Sequence, residues 1–298
     1  MTPTMAHVAC AGLVALDLAA RTVRLHALAR GAGAPITTRA AVAINLLADG
    51  GATLTPMRLG GEPARIAGMR AAGMRFGAVG VAIAYELIVA WPTLAIVALG
   101  LAVDLAPEWL ATVGPTVAHE LVALMPWLLA TLVAALAVVR AVRRRGPRAS
   151  HRGWRTTVRT ARRAWRRMPR GPVLLAVPCT VVNIATRTAL LPVLALALPE
   201  PPAPAALWLG SFVLVYGQLV FPTPAGAGAV DLGFLAGAAG EFGGAETGML
   251  LAWRWWSSGV TAVGGLGVAA VLLAGGRRFR FPAAAHSSRF PAASGPGP

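Results

Sequence analysis

Apolar runs long enough to cross a lipid bilayer recur along this 298-residue chain, and they limit its possible folds more than any other feature. A helix that spans the hydrocarbon core needs roughly 20 apolar residues. The runs that reach or approach this length are Val8–Ala20, Gly77–Val103, Val117–Val139, Pro172–Leu198, Ala205–Phe221 and Ala245–Ala274. Since only 13% of the residues are charged, about half the usual share of a soluble domain, the sequence predicts an all-α polytopic membrane protein.

The net charge of +16 comes from arginine alone, because all 27 basic residues are arginines. Thirteen of them lie between Arg140 and Arg170, and no Asp or Glu occurs between Glu120 and Glu200. A nucleic-acid-binding protein would carry such a patch on a soluble module. Here apolar runs flank the patch on both sides, so we expect a positively charged cytoplasmic loop and no nucleic acid partner.

The other arginines give an orientation, since short cytoplasmic loops are rich in basic residues. The arginines assigned to the cytoplasmic side besides that loop are Arg21, Arg24, Arg30, Arg39, Arg65, Arg70, Arg75, Arg277, Arg278 and Arg280. The opposite side receives Asp104–Glu108 and the proline-rich residues 199–204. This assignment predicts a single transmembrane domain over residues 6–276 and a disordered cytoplasmic tail over residues 277–298.

Counting the crossings predicts that the segment around the sequence FPTPAGAGAVDLGF enters the membrane and returns on the same side. Pro172–Leu198 leaves the cytoplasm and Ala245–Ala274 returns to it, so residues 205–240 begin and end outside. Ala205–Phe221 therefore dips into the membrane, breaks at the proline and glycine residues, and turns back through Val230–Ala239. The sequence predicts a re-entrant pair of half-helices here.

A similar break is predicted between residues 37 and 75, which begin and end among cytoplasmic arginines. The residues that correspond are Thr55, Pro56, Gly60, Gly61 and Glu62 in one break and Thr223, Pro224, Gly226, Gly228 and Asp231 in the other. Two such breaks entering from opposite faces are typical of inverted-repeat transporters. We predict about six membrane-spanning helices plus two re-entrant half-helix hairpins arranged as an inverted repeat. The alternative is that the two breaks are similar by chance, because proline and glycine are common in membrane helices.

Residues 154–168 form neither a span nor a simple loop. Apolar residues recur at steps of four and three among the arginines, at Trp154, Val158, Ala161, Trp165 and Met168. This spacing predicts an amphipathic helix on the cytoplasmic leaflet, attracted by anionic lipids. The alternative is a solvated basic linker within the 140–170 loop.

Isolated charges in the apolar runs are candidate functional residues, since each costs roughly 2.5–3.5 kcal/mol or more at a helix centre. The candidates are Asp17, Asp49, Glu62, Glu86, Arg187, Asp231 and Arg254, with Asn45 and Asn183 as polar companions. For Asp17 we expect an ion pair that joins helices, or a place near the interface.

Glu62 and Asp231 each lie beside a break, where free backbone N–H groups favour anions. Arg58 and Arg65 flank Glu62, and their planar guanidinium groups suit a phosphate. These features suit a lipid headgroup that carries a phosphate, although a purely structural break is an open alternative.

The sequence has no catalytic constellation: a nucleophile elbow, a Walker loop and clustered metal ligands are all absent from it. Cys10 and Cys179 both lie inside apolar runs and predict neither a disulfide framework nor a metal site. We therefore expect no enzymatic activity, no metal and no cofactor.

Two segments together resemble the flippase-like membrane family that includes the transmembrane region of bacterial lysylphosphatidylglycerol synthases. TPMRLGGEPARIAGMRAAG, followed by AIAYELI, is similar to its first signature, and FPTPAGAGAVDLGF is similar to the second. LLAWRWWSSGVTAVGGLGV resembles its last helix, which begins with an arginine. The positions that match are Pro56, Gly61, Glu62, Arg65, Glu86, Pro224, Gly226, Gly228, Asp231 and Arg254.

The likeness covers roughly residues 20–275 and departs from the family pattern at several positions. Ala225 and Ala227 replace the usual residues of the second signature, Asp231 replaces glutamate, and Leu87 follows Glu86 where arginine is common. The resemblance implies that the first family helix is shortened or absent, and these residues hold no soluble aminoacyl-transfer domain. It therefore implies transport or flipping in a bacterial cytoplasmic (inner) membrane rather than lysyl transfer.

These observations predict a multi-pass translocator of a phospholipid or lipid-phosphate headgroup. The predicted substrate-binding residues are Asn45, Pro56, Arg58, Gly61, Glu62, Arg65, Glu86, Arg187, Pro224, Gly226, Gly228, Asp231 and Arg254. The alternative is an accessory membrane protein that docks a cytoplasmic glycosyl- or aminoacyltransferase through the arginine-rich loop. An enzyme acting on a lipid-linked sugar is the weakest alternative. Expected partners are membrane lipids, anionic on the cytoplasmic leaflet, and in the alternative a transferase.

Overall fold

The computed structural model describes residues 1–112, 151–219, 221, 223–237 and 242–274, and the regular elements among them are all helices. They are α1 (Pro3–Gly31), α2 (Thr38–Leu54), α3 (Gly61–Ala71), α4 (Phe76–Thr112), α5 (His151–Arg167), α6 (Arg170–Ala195), α7 (Pro204–Gly217), α8 (Ala229–Gly237), α9 (Glu246–Arg254), a π-helical segment (Trp255–Gly259) and α10 (Val260–Ala274). The all-helical prediction is thus confirmed for these residues. The predicted span Val117–Val139 and the predicted tail over residues 277–298 lie outside them.

Within the described ranges, three helical stretches are both long and apolar enough to cross a bilayer, namely Phe76–Leu105, Arg170–Ala195 and Glu246–Ala274. Large apolar side chains point away from the protein along them, with exposed fractions of 71% for Ile96 and 82% for Leu273. Leu207–Gly217 in α7 is apolar but shorter. Surfaces of this kind are stable when lipid rather than water surrounds them.

Helices α1 and α6 lie side by side in opposite directions. At one end the amino group of Met1 donates to the carbonyl oxygen of Leu196 at 3.0 Å. Further along, the Arg24 guanidinium donates to the hydroxyl of Thr180 at 2.9 Å. A higher number in α1 therefore pairs with a lower number in α6, so the two helices are antiparallel.

Helix α1 is longer than its apolar run, and this corrects the prediction for two arginines. Sequence analysis placed Arg21 and Arg24 after a helix ending near Ala20, in a cytoplasmic loop. Both residues instead lie inside α1 and are only 8% and 6% exposed. Carboxylates from other helices pair with both arginines inside the protein, so the helix continues through them. Arg21 and Arg24 therefore do not indicate which side of the membrane is cytoplasmic.

Two apolar cores lie at opposite ends of the α1–α6 pair. The first core includes Leu25, Leu28, Ile44, Met69, Val79 and Ala176. The second core includes Cys10, Leu191, Leu194, Phe234, Leu250 and Trp253. Asp17, Arg21 and Arg24 of α1 lie between the two cores, and all three are buried.

Helix α5 packs on α4 through part of its apolar face. Ala161, Ala164 and Met168 pack against the first core. Trp165 stacks on Tyr85 with ring centroids 4.5 Å apart, yet 44% of Trp165 stays exposed. The exposed arginines of α5 are Arg159, Arg162, Arg163, Arg166 and Arg167. The placement of α5 on the cytoplasmic leaflet stays a prediction.

Helices α2 and α10 approach so closely that only glycine fits between them. A Cβ atom added at Gly265 would lie 2.9 Å from the Cα of Gly50 and would also meet the carbonyl oxygen of Leu46. Both obstacles are backbone atoms, which cannot rotate away. A Cβ at Gly267, on another face of α10, would have no neighbour within 4 Å.

We predict that Gly265→Ala destabilises the protein by about 1–3 kcal/mol, because the added methyl group overpacks the contact with α2. Thermal unfolding of the purified chain in detergent measures this change. Gly267→Ala is the matched control and should leave the melting temperature unchanged or slightly higher. Equal melting temperatures for the two variants would contradict the close approach of α2 and α10.

Candidate functional site

The first buried charge cluster joins α1, α2 and α6 around Arg21. The Arg21 guanidinium donates to both carboxylate oxygens of Asp49, at 3.0 and 2.8 Å, and lies 2.8 Å from Asp17. Arg187 of α6 lies farther away, 3.4 Å from Asp17 and 3.6 Å from Asp49. Asn183 donates to the other oxygen of Asp17. The ion pair predicted for Asp17 is thus present in the structure.

The second buried charge cluster is centred on Glu86 of α4. One carboxylate oxygen accepts from Arg24 at 2.6 Å, and the other accepts from Arg65 of α3. Glu62 approaches Arg65 only at 3.8 Å, and 57% of its side chain is exposed. A single buried carboxylate therefore forms ion pairs with two arginines from different helices.

Helix α1 supplies both clusters from one face. Asp17, Arg21 and Arg24 are four and three residues apart, which aligns their side chains along a helix. Removing one partner from a buried pair is costly, typically about 3–5 kcal/mol, because the other charge stays buried alone. The clusters therefore fix the positions of α2, α3, α4 and α6 around α1.

The first helix break, between α2 and α3, is a tight turn with an unusual backbone. Met57 and Arg58 both have positive φ angles, 52° and 57°, which residues other than glycine rarely adopt. The side chain of Thr55 holds the turn, since its hydroxyl accepts from the N–H of Gly60 at 2.7 Å and donates to the carbonyl of Gly51 at 2.8 Å.

The second break, between α7 and α8, repeats this backbone geometry. Ala225 and Gly226 follow the proline with φ angles of 48° and 68°. The N–H of Gly226 donates to the carbonyl of Thr223, as the N–H of Arg58 does to that of Thr55. In both breaks the next helix begins five residues after the proline, from Pro56 to Gly61 and from Pro224 to Ala229. The correspondence predicted from the sequence therefore extends to the backbone.

The two breaks touch each other at two exposed prolines. Pro56 and Pro224 form an isolated antiparallel β-bridge. Next to it, the Arg58 guanidinium donates to the side-chain oxygen of Gln218 at 2.9 Å. Two segments far apart in sequence thus meet at one point.

Arg254 holds the second break in place. Its Nε donates to Asp231 at 2.7 Å, and its other nitrogens donate to the carbonyl oxygens of Ala225 at 2.5 Å and Gly226 at 3.4 Å. Asp231 also accepts from the N–H of Gly228 at 2.9 Å, in the manner of a helix N-cap box. The guanidinium therefore fixes both the turn and the start of α8.

The structure brings most of the predicted binding residues to the two charge clusters or to the two breaks. Asn45 is buried and its amide lies 3.5 Å from the hydroxyl of Thr22. Glu62 lies at the surface, where 57% of its side chain is exposed. The binding roles of these residues stay predictions.

Sequence analysis did not name Arg21, Arg24, Thr180 or Gln218 as candidate functional residues, although all four are buried and take part in the clusters or the contact between the breaks. The spacing of Asp17, Arg21 and Arg24 on one helical face could have identified the two arginines. No local signal identifies Thr180 or Gln218, since their partners lie more than a hundred residues away in sequence.

Long apolar helices that enclose buried ion pairs define this chain as a helical integral membrane protein. Residues 3–255 match the family described as the lysylphosphatidylglycerol synthase TM region, and the chain belongs to that family. Neither the curated proteins nor the solved structures contain a match to the chain.

We predict that Glu86→Gln destabilises the protein by about 3–5 kcal/mol, because Arg24 and Arg65 would lose their shared carboxylate in a buried place. Thermal unfolding in detergent measures the loss. Glu62→Gln is the matched control, because it removes a carboxylate beside the same Arg65 but at an exposed position. It should lower the free energy of unfolding by less than about 1 kcal/mol. Similar losses for the two variants would show that the Glu86 cluster does not stabilise the fold.

Proposed function

We propose that this chain is a lipid flippase of the bacterial cytoplasmic membrane. A phosphate-bearing headgroup passes through the protein while its acyl chains stay in the bilayer. The observation that carries this proposal is the contact between Pro56 and Pro224, where two breaks of matching backbone geometry meet. Breaks of this kind near the middle of the membrane are a common way to build transporter binding sites.

The ends of the helices support re-entrant hairpins that enter from opposite faces. Gly31, at the end of α1, lies beside Pro172 near the start of α6. Helix α2 begins at Thr38, soon after Gly31, and α7 begins at Pro204, soon after the far end of α6. The two hairpins therefore start at opposite ends of a membrane-spanning helix and meet between them. This is the arrangement that an inverted repeat requires.

The buried arginines give the headgroup its binding chemistry. Arg65 and Arg254 each hold a carboxylate, and a phosphate group offers the same geometry to a guanidinium. The phosphate of a headgroup that enters between the breaks would replace a carboxylate on one of these arginines. It would therefore not have to bind to an isolated charge. Such an exchange keeps the desolvation cost low at every stage.

We predict that Asp231→Ala and Glu62→Ala each slow lipid translocation about tenfold or more, equivalent to about 1.4 kcal/mol of barrier. The measurement is transfer of a fluorescent phospholipid across the bilayer of proteoliposomes that contain the full chain. The matched controls are Asp104→Ala and Glu200→Ala, which remove exposed carboxylates that belong to neither break. Unchanged rates in both site variants would reject the flippase proposal.

A second candidate function is docking of a cytoplasmic glycosyl- or aminoacyltransferase. The observation that favours it is the row of exposed arginines on α5, which stays available while Ala161 and Ala164 hold the helix on the core. An acidic protein surface would suit this row. An anionic cytoplasmic leaflet would suit it as well, and in that case α5 anchors the flippase at the lipid surface.

We predict that the triple change Arg163→Gln, Arg166→Gln and Arg167→Gln weakens binding to anionic surfaces without unfolding the protein, because all three side chains are exposed. Removing α5 altogether would disturb the first core and is a poorer test. Co-purification from the native host distinguishes the two functions. Loss of a bound transferase in the variant favours docking; an unchanged set of bound proteins with fewer bound anionic lipids favours the leaflet.

A further inference from the structure

The backbone contact between the two breaks is made by a proline on each side. Pro56 and Pro224 form an isolated antiparallel bridge. Two residues paired in this way either exchange N–H···O bonds or face each other between such bonds. Proline has no N–H group, so Pro56 and Pro224 must face each other without exchanging a hydrogen bond. The two prolines therefore meet without donors of their own to hold them together.

The side-chain link between the breaks is the hydrogen bond from Arg58 to Gln218. The Arg58 guanidinium donates to the amide oxygen of Gln218 at 2.9 Å, and Gln218 is buried. Residues 38–71 hold the first break and residues 204–237 hold the second. Among the described residues, no ion pair and no other side-chain hydrogen bond joins these two hairpins.

Each partner in this hydrogen bond belongs to its own break. Arg58 lies in the first turn, where its backbone has a φ angle of 57°. Gln218 directly follows α7 and packs against the second turn, since a Cβ atom added at Gly226 would lie 3.3 Å from the Cα of Gln218. If the hairpins separated, Arg58 would stay with the first break and Gln218 with the second.

The charges around Arg58 do not strengthen this link. Four charged groups lie within electrostatic range of its guanidinium, namely the cations Arg21, Arg187 and Arg254 and the carboxylate Asp49. Arg58 makes no ion pair among the described residues, and the acceptor opposite it is a neutral amide. A carboxylate there would give a stronger, charge-assisted bond. The contact between the breaks lacks such a bond.

The contact also lies at the surface of the described part of the protein. Pro56 and Pro224 are both exposed. Leu54 and Leu59 flank the first break and Leu232 follows the second, and all three side chains are exposed as well. Apolar surface of this kind is more stable beside lipid than beside water. The contact is therefore placed where an opening between the hairpins would lead into the bilayer.

We propose that the two breaks form a lateral gate and that the hydrogen bond from Arg58 to Gln218 is its latch. The structure shows the gate closed. Releasing the latch lets Pro56 and Pro224 separate and opens the space between the hairpins to the bilayer. The proposal rests on the proposed function in that the gate serves the passage of a headgroup. Its opening can nevertheless be measured without transport.

The first test locks the gate with a disulfide. In a chain with Cys10→Ala and Cys179→Ala, the double change Pro56→Cys and Pro224→Cys places two thiols at the contact. Residues that face each other in this way have Cα atoms about 4.5 Å apart, which a disulfide can bridge. We expect oxidation to slow the transfer of a fluorescent phospholipid in proteoliposomes about tenfold or more, and reduction to restore it. An unchanged rate after complete oxidation would overturn the gate.

A disulfide within the first hairpin is the matched control. A Cβ atom added at Gly68 of α3 would lie 3.6 Å from the Cβ of Ile44 of α2, which is a spacing that a disulfide can bridge. Ile44→Cys with Gly68→Cys therefore joins two helices that stay together when the gate opens. Oxidation should leave its transfer rate equal to that of its own reduced form. An equal loss of transfer in both disulfide variants would also contradict the gate.

Gln218→Glu tests the latch itself. The change keeps the shape of the side chain and gives Arg58 a carboxylate, so we expect the stronger bond to slow lipid transfer about fivefold. The melting temperature in detergent should rise at the same time. Gln218→Leu removes the acceptor and should let the breaks separate more often. A merely structural bond would change the melting temperature and leave the transfer rate of Gln218→Glu unchanged, and that result would overturn the latch.

The oxidation rate of the two introduced thiols reports on the gate without transport. The disulfide forms only while the breaks are in contact, so Gln218→Glu should speed the oxidation and Gln218→Leu should slow it. Equal oxidation rates in all three chains would overturn the latch. If the rates differ as expected but no chain moves lipid, the gate stands and the flippase proposal fails. If the chain moves lipid equally with and without the disulfide, the flippase proposal stands and the gate fails.

Discussion

The paired hydrogen bonds from Arg21 to Asp49 are the contact on which the arrangement of the helices depends. They join α1 to α2, and α2 carries the first break. Without Arg21, Asp49 and Asp17 would both be buried close together with only the more distant Arg187 to balance them. In a low-dielectric interior that arrangement is strongly unfavourable. The pair therefore determines where the first break lies relative to the α1–α6 pair.

The two charge clusters also explain how the protein can bury several of its few charged side chains. Each carboxylate in the clusters serves arginines from more than one helix, so a few acidic residues join five helices. Apolar packing at the two ends of α1 and α6 then shields the clusters from the surroundings of the protein. Lipid supplies little driving force for helix association, so polar contacts of this kind have a larger part in specificity than in a soluble protein.

Much of the fold could be predicted from the sequence, because its main signals are local. Apolar length identified α6 and the Glu246–Ala274 stretch, and proline with glycine identified both breaks. The end of α1 could not be found in this way, since Arg21 and Arg24 follow the apolar run and resemble a loop. Their partners come from α2 and α4, and only the tertiary structure shows that they are neutralised. The same is true of Gln218, whose partner Arg58 belongs to the other break.

The contact between the two breaks differs in kind from the contacts that hold each break to its own surroundings. Around each break, guanidinium groups bind carboxylates or carbonyl oxygens. Between the two breaks themselves there is a short backbone bridge and one hydrogen bond from Arg58 to a neutral amide. A neutral hydrogen bond contributes only about 0.5–1.5 kcal/mol, several times less than a broken buried ion pair costs. The two breaks can therefore lose their direct contact at Pro56 and Pro224 at a lower cost in free energy than either buried charge cluster can be broken.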